Sequence, residues 1–142
     1  MKISKVLFLA VIGLFTLNSC GDDDSGQSAI DIITSGIWKV TESRSDIDGD
    51  GDLDDTLENC SRDDEYVFEE DGTLNFDEGA TKCDAADPQS DTGNWGLSPD
   101  EQTLTLTVGG FGIPFTVVSL SSNRMELRGE NFGDVTETVF EK

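Results

Sequence analysis

Residues 60–83, CSRDDEYVFEEDGTLNFDEGATKC, read as one β-hairpin with a cysteine at each open end. Tyr66 and Phe68 alternate before Glu70-Asp71-Gly72, and Leu74 and Phe76 alternate after it, which is the period of a strand with one apolar face. Cross-strand partners share a face, so loop length decides which residues meet. A two-residue loop at Asp71-Gly72 would set Phe68 against Asn75 and split the apolar face. A three-residue loop, Glu70 to Gly72, sets Phe68 against Leu74 and Tyr66 against Phe76, with Gly72 in the left-handed conformation such loops need. The second register is expected. In either register Cys60 and Cys83 end nearly opposite each other, and a disulfide is expected to close the hairpin.

Outward from this hairpin, short strands are expected at 38–41, 65–69, 73–77, 92–97, 103–108, 113–120, 124–129 and 135–140. No helical period exceeds two turns. The links are turn-like: Ser98-Pro99-Asp100, Gly109-Gly110-Phe111-Gly112, Ser121-Ser122-Asn123 and Glu130 to Gly133. Eight sequential strands with short links predict an all-β, antiparallel up-and-down meander, which closes most easily as a barrel. An immunoglobulin-type sandwich needs strands that cross between sheets, and the hairpin-by-hairpin order argues against it. Before the first strand, AIDIIT (29–34) reads as a short helical turn with Ile30 and Ile33 on one side. The positions expected to face inward are Trp38, Val40, Tyr66, Phe68, Leu74, Phe76, Trp95, Leu97, Leu104, Leu106, Val108, Ile113, Phe115, Val117, Met125 and Leu127. In the last strand Val139 and Phe140 are neighbours, and a bulge would be needed to bury both inside. An eight-stranded interior is just wide enough to be filled by side chains. A packed core is therefore expected, with a cavity as the alternative. If there is a ligand site, Trp38, Tyr66, Phe68, Phe76, Trp95 and Phe115 are its interior candidates. Phe111, on the glycine-rich rim, is the expected entrance or contact.

The N-terminal residues carry an address. Lys2 and Lys5 precede an apolar run from Val6 to Leu17, about twelve residues long and too short to span a bilayer, which takes roughly 20. Residues 1–19 thus read as a signal peptide. Its end, Leu17-Asn18-Ser19-Cys20, resembles a bacterial lipobox. That resemblance implies cleavage before Cys20 and acylation of Cys20, which would tie the chain to a membrane; a plain secretory signal is the alternative. Residues 20–28 form an acidic tether without apolar side chains beyond Cys20, and 29–142 form one domain. Asp22-Asp23-Asp24 resembles the export tag of some Gram-negative surface lipoproteins. The expected location is the outer membrane, facing either the cell surface or the periplasm. If lipid takes Cys20, Cys60 and Cys83 are the pair left for a disulfide in an oxidising compartment.

Charge excludes some partners. The chain has 30 acidic and 9 basic residues, no histidine and a net charge of −21. Without Lys2 and Lys5, seven basic groups face the same 30 acids, a net of −23. Such a surface repels nucleic acid and anionic headgroups. Without histidine there is no Ser-His-Asp triad, no His-activated thiol and no usual zinc set. Acid pairs such as Asp63-Asp64 and Glu69-Glu70 are abundant and suit solvated charge. Catalysis is not expected.

The sharpest chemical signal is DIDGDGDLDD, residues 46–55. Asp46, Asp48, Asp50 and Gly51 match positions 1, 3, 5 and 6 of a calcium loop, Asp54 falls at position 9, and Asp52 adds a further carboxylate. Leu57 stands where an EF-hand needs a bidentate glutamate, so the loop is not an EF-hand. It is similar to the Asp-x-Asp-Gly-Asp-Gly loops of extracellular repeat proteins. A weak structural Ca2+ site and a solvated acidic loop both fit.

Gly36-x-Trp38, Cys60-x-x-Asp63-Asp64-x-Tyr66-x-Phe68, Asp71-Gly72-Thr73, Glu78-Gly79-Ala80-x-Lys82-Cys83 and Gly93-x-Trp95 form an ordered set. Together they resemble the bacterial lipocalin-like lipoprotein domain over residues 29 to 142. The resemblance implies a lipocalin-like barrel whose tryptophan closes the floor, outside the cytoplasm, and it carries over no catalytic residue. Two functions remain open: a non-catalytic binder of a small apolar ligand or a protein partner, and a structural or adhesion module with a packed barrel and a calcium-braced loop.

Overall fold

A computed structural model describes residues 26–131 and 134–142. The expected signal peptide, Cys20 and most of the tether lie outside the described residues, as do Phe132 and Gly133 of the expected last turn. A six-residue helix, α1 (Ala29–Thr34), precedes nine strands: β1 (Ile37–Ser45), β2 (Asp54–Asp55), β3 (Glu65–Phe68), β4 (Thr73–Asp77), β5 (Ser90–Leu97), β6 (Thr103–Val108), β7 (Phe111–Leu120), β8 (Arg124–Asn131) and β9 (Asp134–Glu141). Each strand from β3 to β9 pairs antiparallel with the next, and β1 pairs with both β3 and β9. This closes a ring of eight strands, the expected barrel. β2 is a two-residue addition to β1 at Arg44 and Ser45, beyond the reach of β3.

The hairpin adopts the three-residue loop. Phe68 faces Leu74 and Tyr66 faces Phe76, and the Glu69 N–H reaches the Thr73 carbonyl at 2.8 Å. Gly72 has φ +87°. Cys60 and Cys83 are disulfide-bonded, with their Cα atoms 5.1 Å apart.

α1 is capped by Ser28, whose hydroxyl accepts the Asp31 N–H while the Asp31 carboxylate accepts the Ser28 N–H. Its buried residue is Ile33, and Ile32 packs beside it; Ile30 is 48% exposed, against the expected Ile30–Ile33 face. The C-terminal half of this short helix meets the barrel, so only residues near Trp38 are covered. There the Trp38 indole N–H donates to the Ile33 carbonyl at 2.7 Å. The Lys142 ammonium lies 4.1 Å over the Trp38 ring and donates to the Ile32 carbonyl. These contacts close the floor.

The packed core comprises Ile33, Trp38, Val40, Phe68, Leu74, Leu104, Met125, Leu127 and Phe140. Val139 is buried too, but on the outer face, in a groove lined by Glu42, Arg44, Arg124, Glu126 and Glu137. Adjacent residues of β9 are thus both covered without a bulge in β9: Phe140 from inside, Val139 by charged side chains and their aliphatic stems. The register irregularity lies in β1, between Val40 and Glu42. Val108 and Ile113, expected in the core, are 51% and 39% exposed. Ile113 pairs with Leu106 and so shares its face. The interior is simply not filled at their end.

Candidate functional site

Strand parity sets the walls of the site. Tyr66, Phe76 and Asp91 are successive partners across β3, β4 and β5, and Leu74 faces Gly93 one step below. These inward positions, with Val108 of β6, wall a cavity of about 420 Å³. The β4–β5 loop supplies the rest of the rim with Glu78, Asp87 and Pro88. Gly93 is required here: a Cβ would sit 2.2 Å from the Thr107 carbonyl oxygen, where β5 and β6 approach closely. A second cavity, about 360 Å³, is lined by Val40, Leu57, Ser61, Leu106 and Phe140 among others. Tyr66 borders both, its ring 5.2 Å from Phe76 on one side and 5.3 Å from Phe140 on the other. Burial, followed by the charge of Asp64, pushes the Tyr66 phenol up to about 12.

The expected packed interior is therefore correct for one half of the barrel only. Of the six interior candidates, Tyr66 and Phe76 line the larger cavity. Trp38 and Phe68 are buried in the closed half, and Trp95 and Phe115 pack against that core. Trp95 is held there by its indole N–H on the Glu69 carbonyl, 2.9 Å, and by an edge contact to Phe68. Phe111 is 80% exposed and lines neither cavity. It begins β7 directly after Gly109-Gly110, a two-residue turn with φ +60° and +85°, so the rim is a tight hairpin rather than a four-residue loop.

Acids occupy the rim. Asp63 and Asp64, expected to be solvated, divide. Asp63 accepts the Ala80 and Thr81 N–H groups at 2.8 and 2.9 Å and pins the β4–β5 loop. Desolvation would raise its carboxyl, but those N–H bonds outweigh it and hold it below the usual range. Gly79, with φ +62°, lies so close that a Cβ would be 2.4 Å from the Asp63 carbonyl oxygen. Asp64 is only 6% exposed. Burial, then the charges of Glu78 and Asp63, raise its carboxyl, against a hydrogen bond from Ser61. Glu78 lines the larger cavity, and its Oε2 is buried without a hydrogen-bond partner. Sequence reading missed Asp64, Glu78, Asp87 and Asp91. Only Asp91 was signalled, by its alternation with Gly93, Trp95 and Leu97.

In the 46–55 loop, Asp46, Asp48 and Asp50 each bring a carboxylate oxygen within 4.8 Å of the others. Asp46 accepts the Gly49 and Gly51 N–H groups, Asp48 that of Asp50, and Asp50 that of Asp52. Gly49 and Gly51 have φ +75° and +93°, which lets the chain curl around Asp46. Asp52 is not part of this trio, and Asp54 lies in β2 opposite Ser45. Among the described residues no helix is long and apolar enough to cross a membrane.

No curated protein matches the chain. A solved lipocalin-like protein from Bacteroides uniformis ATCC 8492 resembles it with a TM-score of 0.51 at 17% identity, covering 78% of this chain and 98% of that one. At that identity the likeness speaks for the fold. The family described as Lipocalin-like domain matches residues 34–127, which span the floor tryptophan, the stapled hairpin and the wall of the larger cavity. The chain belongs to the lipocalin-like domain family.

Proposed function

We propose that this protein is a non-catalytic binder of a small apolar molecule, held outside the cytoplasm by lipid on Cys20. The observation that carries the binding reading is the 420 Å³ cavity walled by Tyr66, Leu74, Phe76 and Val108 in a barrel otherwise closed at its floor. That volume falls within the ~300–1,000 Å³ common for small-molecule sites. The anchor rests on the lipobox-like Leu17-Asn18-Ser19-Cys20 after a short apolar run, and the outer-membrane location on the same segment. Native mass spectrometry and titration with a neutral fluorophore such as N-phenyl-naphthylamine test the binding. The expected result is a retained or displaceable ligand in the native protein. Val108→Trp, placed at a half-exposed wall position, should abolish fluorophore binding and leave the melting midpoint within a degree or two. No bound ligand and no fluorophore uptake would end this reading.

A second reading has its own support, the convergence of Asp46, Asp48 and Asp50. In it the loop takes a structural calcium ion and braces β1 against β2, and the barrel serves as a surface module. Calcium is expected to give measurable heat and a higher melting midpoint, both lost in Asp46→Asn with Asp48→Asn. No heat and an unchanged midpoint would refute it.

A further inference from the structure

The wall and the rim of the larger cavity make opposite chemical demands. Its wall is apolar, from Tyr66, Leu74, Phe76 and Val108, while its rim carries Glu78, Asp87 and Asp91 and has no lysine or arginine among its lining residues. The nearby Lys82 donates to the backbone carbonyl of Asp87, not to a carboxylate. Among the described residues no ion pair engages Glu78, Asp87 or Asp91. Among the described residues the Asp91 side chain accepts only its neighbour's N–H, from Thr92. Glu78 Oε2 is buried and unpartnered.

We propose that the occupant is a cationic amphiphile, its apolar chain against Tyr66, Leu74, Phe76 and Val108 and its ammonium-type head on Glu78 between Asp87 and Asp91. The inference rests on the binding reading above and adds the sign of the ligand's head. A neutral apolar molecule would fill the wall and leave the charges of Glu78, Asp87 and Asp91 at the rim uncompensated. An anionic one, such as a fatty acid, would set a carboxylate against three others on a chain of net charge −21. An ammonium head offers three donors and the opposite charge, forming charge-assisted bonds to the carboxylates at the rim. An acidic rim alone would attract any cation. The contiguous apolar wall is what requires a chain.

Calorimetric titration with decylamine, decanol, decanoate and propylamine, each below micelle formation, separates these cases. Decylamine is expected to bind about tenfold more tightly than decanol, with decanoate weaker still and propylamine undetected. Glu78→Gln should bring decylamine down to the level of decanol and leave decanol unchanged. Should Glu78→Gln fail to fold, Asp91→Asn at the exposed rim should lower decylamine affinity severalfold by the same logic. If decanol or decanoate equals decylamine, the head preference is refuted and the binding reading stands. If propylamine binds as well as decylamine, the wall is unused and the proposal falls. If no decyl compound binds, the binding reading itself fails.

Discussion

Asp64 shows how one carboxyl can work against its own fold. It sits beside Tyr66 with 6% exposure, facing the charges of Glu78 and Asp63, so its folded-state pKa lies above the ordinary 3.8. The folded chain therefore takes up this proton more readily than the unfolded one. The stability it contributes is complete below about pH 4 and lost as pH rises through the folded value. Asp64→Asn, which removes the charge and keeps the shape, should raise the melting midpoint at pH 7. Thermal scans from pH 7 to pH 4 should show that advantage shrinking to nothing; a constant or growing difference would contradict the assignment. Nothing in Asp63-Asp64 told the two residues apart by composition. They differ because backbone N–H groups of the distant Ala80 and Thr81 reach Asp63, whereas Asp64 is buried beside Glu78 with a hydrogen bond from the Ser61 side chain. Parity would have placed Asp91 on the side of Gly93 and Trp95, but the strand expected from the sequence begins at Thr92 and stops one residue short of it.

The hairpin of β3 and β4 is the element in which local pattern and final structure agree most closely. Alternation and the Gly72 turn residue were enough for its register, because a one-residue slip would have turned Phe68 or Leu74 to solvent. Its disulfide closes a loop with a sequence separation of 23. Replacing the pair by Cys60→Ser with Cys83→Ser should lower the unfolding free energy by roughly 3 kcal/mol, read from urea titrations at unchanged slope. A loss near zero would mean that the β4–β5 loop is held by Asp63 alone. β1 behaved differently. Only 38–41 showed apolar alternation, yet the strand runs to Ser45, since β9 offers Val139, Thr138, Glu137 and Thr136 as partners for Glu42 to Ser45. Ser45 even meets Thr136 hydroxyl to hydroxyl at 3.0 Å. Backbone pairing with a strand some ninety residues away extends β1 where its own side chains gave no sign.

Across the whole molecule, charge and closure set the balance. A net charge of −21 on a chain of 142 residues repels itself. Raising sodium chloride from about 20 to about 500 mM shortens the screening length from tens of ångströms to a few, and the melting midpoint should rise by several degrees. An unchanged midpoint would place the acids far enough apart in solvent to be already silent. What residue order alone determined was the ring of sequential antiparallel strands and the stapled hairpin, because alternation, turn residues and spacing are local and each acts within a few residues; the floor tryptophan was implied by the family resemblance that Gly36-x-Trp38 carries. The half-empty interior, the burial of Asp64 and the acidic rim of the cavity were decided only when the ring closed. They depend on how strands far apart in sequence stagger, and on which side chains then fall short of meeting across the barrel.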